Sequence, residues 1–156
     1  MAAGDLREAE ERIEACGARL DPRTAGISWG EYLRVRGGLH ERARRTSAAR
    51  ADYAQSINVF ELLGERYQAA LSRLALGRLL AESGSRQATT VLDQAAAVFG
   101  SLGATRDLQD LAAARAMASS HALGDTPPLR MDADDVIVRR LVDAADRKST
   151  RLNSSH

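Results

Sequence analysis

Lysine is all but absent from this chain. The one lysine, Lys148, falls in the closing stretch 146–156, and every basic residue before it is arginine. Cysteine is as scarce: Cys16 stands alone, so the chain cannot cross-link itself, and a reducing, cytoplasmic setting is expected. Ahead of the closing stretch the histidines are His40 and His121, too far apart for a metal-ligand spacing, so no metal or cofactor is expected. Motifs of the GxSxG, HExxH or phosphate-cradling type are missing, and no catalytic role is expected. No apolar run approaches the about 20 residues of a membrane-spanning helix, and the polar start MAAGDLREAE lacks the apolar centre of a secretory signal. Proline occurs three times and aromatics are few, which argues against a strand-rich, turn-punctuated fold.

What is abundant is alanine, leucine and arginine, the residues that favour helix, over a length of 156 that suits one domain with a core. The formal charge is +1, of which residues 146–156 supply a net +2 and the remainder −1, a balance that does not favour a polyanionic partner. Residues 146–156, DRKSTRLNSSH, match the translation of a short-read sequencing adapter without a mismatch. That stretch is expected to be a non-native tail, with the natural protein continuing past Ala145.

One internal offset recurs. Residues 27–64 and 66–103 align at 39 residues with eight identities: Arg34/Arg73, Gly38/Gly77, Ala49/Ala88, Gln55/Gln94, Val59/Val98, Phe60/Phe99, Leu63/Leu102 and Gly64/Gly103. Such self-similarity is the mark of a repeat array. Within the second copy, Leu71, Leu74, Leu76, Leu79 and Leu80 form one apolar stripe, AESGS breaks it at Gly84, and Val91, Leu92, Ala95, Phe99 and Leu102 form another. Each unit therefore reads as a leading and a trailing helix. Gly64 and Gly103 follow the last apolar residue of a trailing helix, where a left-handed glycine closes the helix end.

The first copy places Trp29, Tyr32, Val35 and Leu39 on its leading helix and Tyr53, Ile57, Phe60 and Leu63 on its trailing one. An opening helix is expected over 5–19 and a third leading helix over 105–123. Gly124, Pro127 and Pro128 are expected to make 124–131 a linker, with Asp132 expected to cap a last helix over 132–145. The fold class is all-α: antiparallel helix hairpins of about six to seven helices, with residues 1–123 as the repeat domain.

Leu76-Gly77 and Leu80 on the leading helix, with Ala88, Leu92 and Ala95 on the trailing one, resemble the tetratricopeptide repeat in the lengthened form common in large bacterial regulators. The resemblance covers residues 27–123. Small residues at Gly77, Ala88 and Ala95 would let the helices approach while the leucines fill the space between them. Arg73 replaces the usual leading-helix aromatic, Gly37 stands where leucine is expected, and the unit exceeds the usual length of about 34 residues. What the resemblance implies is an α-solenoid whose leading helices line a concave groove for a protein or peptide. Partner-facing positions fall six and three residues before the small position and one and four after it. With Gly38, Gly77 and Ala116 as small positions, the candidate contacts are Tyr32, Arg42, Leu74, Arg78, Asp110 and Met117. MDADDVIVRRLVDAA also resembles the lead-in to a ligand-sensing domain of bacterial enhancer-binding transcription regulators or sensor kinases. The implied role is an interaction scaffold in such a regulator, and truncated ends could self-associate.

Two alternatives stand beside it. Arg34, Arg36, Arg42, Arg44, Arg45 and Arg50 could track a nucleic-acid backbone, although Glu31, Glu41 and Asp52 dilute the run and stacking aromatics are sparse. The chain could equally be a structural or dimerising arm of the same regulator. The acidic run REAEERIE over 7–14 has Glu and Arg at helical spacing and reads as a solvated face.

Overall fold

The computed structural model describes residues 3–124. The expected linker over 124–131, apart from Gly124, the helix over 132–145 and the tail over 146–156 lie outside the described residues. Six helices follow one another: α1 (Ala3–Gly17), α2 (Ile27–Arg42), α3 (Thr46–Leu62), α4 (Arg66–Glu82), α5 (Gln87–Leu102) and α6 (Thr105–Gly124). The described residues contain no strand.

Sequential neighbours pack as antiparallel hairpins, α2 on α3 and α4 on α5, and each trailing helix also packs against the next leading one. One apolar cluster joins Ala49, Tyr53 and Ile57 of α3 to Leu76, Leu79, Leu80 and Ala81 of α4 and Ala88 of α5. A second joins Ala70 and Leu74 of α4 to Leu92, Ala95 and Phe99 of α5 and Leu111 and Ala114 of α6. Burial is thus passed along the chain from hairpin to hairpin, as a repeat array requires. Phe60 and Phe99, one in each trailing helix, are both fully buried. Between the units, Ser56 donates to the Gly30 carbonyl at 2.8 Å and meets the Ser72 hydroxyl at 2.9 Å, so polar groups of α2, α3 and α4 are paired inside the core.

Four helices end in the same way. A left-handed residue, Arg44, Gly64, Gly84 or Gly103, follows α2, α3, α4 and α5 respectively. Its N–H and the next one bond back to the last turn: Arg44 to Glu41 and Arg45 to His40, then Gly64 to Glu61 and Glu65 to Phe60. Gly84 to Ala81 with Ser85 to Leu80, and Gly103 to Gly100 with Ala104 to Phe99, repeat the pattern. These paired bonds satisfy carbonyls that a helix end leaves without partners. The glycines meet the expectation, and Arg44 fills the same position without being one.

The turns also correct the register of the first leading helix. Arg44 matches Gly84, an interval of 40, whereas Gly64 and Gly103 keep 39. A Cβ built on Gly37 would lie 2.8 Å from the Tyr53 ring, and one on Gly77 would lie 2.5 Å from Leu92, while Gly38 has the Tyr53 hydroxyl at an ordinary 3.6 Å. Gly37, not Gly38, is therefore the small position of α2. One fewer residue separates Gly84 from Ala88 than Arg44 from Ala49, which absorbs the shift. The Gly38/Gly77 identity arises because two glycines stand side by side in α2 and the alignment selects the wrong one.

Candidate partner-binding surface

The register shift decides where the expected contacts lie. Tyr32 is buried at 8 % exposure, stacked on Trp29 with centroids 5.0 Å apart, and its hydroxyl accepts from Arg36 at 3.0 Å. The Arg36 guanidinium also lies 5.0 Å over the Tyr32 ring. Leu74 is buried in the core shared by α4, α5 and α6. Both side chains face packing rather than solvent. Arg42, Arg78 and Asp110 are exposed, and Met117 is 40 % exposed.

Of these, the structure brings Arg42 and Arg78 to one place. Tyr53 donates to Glu41 Oε2 at 2.6 Å, and both guanidiniums act on that hydroxyl. Burial first, and then the Glu41 hydrogen bond, push the Tyr53 hydroxyl pKa well above the usual tyrosine range. The C-terminal end of α2 and the later half of α4 therefore present Glu41, Arg42 and Arg78 around the neutral phenol at the middle of α3. Asp110 and Met117 sit seven residues apart on α6, two turns along one face, while Leu111 and Ala114 take the buried side.

The sequence alone gives Glu41, His40 and Asp52 no place in a site. Asp52 is buried, and Arg36 grips it through Nε at 2.8 Å and Nη2 at 2.6 Å, which raises the Arg36 pKa further. The signal was hairpin symmetry: Arg36 and Asp52 are equidistant from Arg44, the left-handed residue of the turn. Three more arginines of the run are similarly occupied. Arg34 reaches the Gln68 carbonyl at 3.3 Å and lies 5.5 Å over the Phe60 ring, and its desolvation lowers its pKa. Arg50 donates to Gln87 at 2.9 Å, and Arg45 pairs with Glu10.

Among the described residues, no group of three or more His, Cys, Asp or Glu stands where it could hold a metal ion. No helix among them is long and apolar enough to cross a membrane. Comparison with protein-family models, with curated proteins and with solved structures gives no match.

Proposed function

We propose that this chain is a tetratricopeptide-like scaffold for a protein or peptide partner, acting within a cytoplasmic multidomain bacterial regulator. The observation that carries the reading is the pair Gly37–Tyr53 and Gly77–Leu92, in which α2 and α4 each seat a glycine under a large side chain of the following helix. Close approach on that side leaves other faces of α4 and α6 to carry Arg78, Asp110 and Met117 outward, with Arg42 exposed at the C-terminal end of α2. Peptide recognition by helical repeats uses such a row of adjacent helices. The engagement of Arg34, Arg36, Arg45 and Arg50 within the fold supports this reading over a nucleic-acid track.

A photo-crosslinking residue placed at Arg78 or Met117, and as a control at the exposed trailing-helix residue Gln94, tests it in cells. Crosslinks to one polypeptide from Arg78 and Met117, but not from Gln94, are expected. Nucleic acid recovered at Arg78, or equal capture from all three positions, rejects it. A salt titration with single- and double-stranded DNA supplies the second arm, since backbone tracking would weaken steeply with salt.

A further inference from the structure

We propose that His40 is a pH-sensitive latch holding α1 against the α2–α3 hairpin. Arg45, in the turn between α2 and α3, donates through Nε to His40 Nδ1 at 3.0 Å and pairs through Nη2 with Glu10 of α1. On the other side of the ring, His40 Nε2 faces Asp52 Oδ2 at 3.6 Å. The groups around the imidazole are therefore Arg36 from its own helix, Asp52 from α3, Arg45 from the turn and, through Arg45, Glu10 from α1.

A ring nitrogen that accepts from a guanidinium carries no proton, so this arrangement needs the neutral imidazole with its hydrogen on Nε2, toward Asp52. That tautomer is assigned from the hydrogen-bond network. Charging the ring places a hydrogen on Nδ1, where it meets the Arg45 N–H donor to donor, and sets two cations side by side. Asp52 meanwhile stabilises the charged ring from the far side and keeps it in place. Arg45 is the group that yields, and it carries the tie to Glu10. His40 keeps 24 % of its side chain exposed, so protons reach it directly from solvent. Gly17 closely approaches the Tyr32 ring, and the apolar residues Leu6, Ala9 and Ile13 of α1 are only partly buried, which leaves the polar tie room to matter.

Amide hydrogen exchange on the full chain tests the latch, with rates divided by those of an unstructured reference at each pH. Imidazoles change charge between about pH 5 and about pH 8. From about pH 7.5 to about pH 5.5, α1 amides should lose protection about threefold or more relative to α4 amides. His40→Gln keeps an uncharged acceptor for Arg45 and a donor for Asp52, and its α1 protection should not change over that range. Arg45→Ala should leave α1 weakly protected at both values. A wild-type α1 that does not respond to pH overturns the proposal. So does a response that persists in His40→Gln or in Arg45→Ala.

Discussion

Gly37 lies directly beneath the Tyr53 ring, whereas its neighbour Gly38 only approaches the Tyr53 hydroxyl. The difference gives two adjacent glycines opposite responses to the same substitution. Gly37→Ala puts a methyl 2.8 Å from ring carbons and 3.4 Å from the Ala49 carbonyl, so the hairpin must open. Overpacking of this kind costs about 1–3 kcal/mol. Gly38→Ala meets nothing closer than 3.6 Å and should stabilise by about 0.5–1 kcal/mol through helix propensity. Urea unfolding of both variants checks the pair, and a reversed order would restore Gly38 as the small position.

Phe60 and Phe99 should behave as equivalents. Both are fully buried, and each meets a small residue of its leading helix: Phe60 lies against Gly30, and Phe99 shares a cluster with Ala70. Replacing either by alanine should cost about 3–5 kcal/mol, because the flanking helices cannot close the void completely. Chemical denaturation measures the loss, and a change below about 1 kcal/mol at both sites would place the rings at the surface.

The trailing helices were readable in the sequence because their signals are coupled. An apolar stripe of Tyr53, Ile57 and Phe60 ends in a glycine whose left-handed conformation has few substitutes, and Leu92, Phe99 and Gly103 repeat it at the same interval. The first leading helix was less legible. Its left-handed turn residue is Arg44 rather than glycine, so the residue that anchors the register carries no sequence mark. The candidate surface suffered from the same slip, since counting from Gly38 selects Tyr32, and Tyr32 packs inward on Trp29. Counting from Gly37 would have reached Arg34 and Glu41 instead. Asp52 was read as diluting a basic run, because a buried carboxylate is recognisable only once its partner, Arg36, is known to lie across the hairpin.

Arg44 adopts φ of 60°, a region that costs a side chain about 1–2 kcal/mol. Glycine escapes that cost but adds freedom to the unfolded chain, so the net gain from Arg44→Gly should be about 0.5–1 kcal/mol. The matching position in the next unit predicts the reverse: Gly84→Ala, at φ of 68°, should destabilise by about 1–2 kcal/mol. Thermal unfolding of the two variants reads the sign directly. A destabilised Arg44→Gly would mean that the arginine side chain contributes more than its backbone strain removes.

Tyr53 sets the alkaline limit of the α2–α3 hairpin. Its folded pKa is raised, by burial and then by the hydrogen bond to Glu41, so the fold favours the protonated phenol. The stability this contributes is whole below the unfolded tyrosine pKa of about 10 and is lost as pH rises from there through the folded value. Deprotonation would put a phenolate beside the Glu41 carboxylate inside the hairpin, with Arg42 and Arg78 offsetting part of the repulsion. Tyr53→Phe should cost about 1 kcal/mol near neutrality, where it removes the hydrogen bond. Above about pH 10 the variant should lose stability less steeply than the wild type, because the group that must ionise is gone. Tyr32 and Tyr67 are present in both proteins and cancel in the comparison. Urea unfolding on either side of that pH measures the two slopes, and parallel slopes would show that the Tyr53 hydroxyl titrates alike in the folded and unfolded chains.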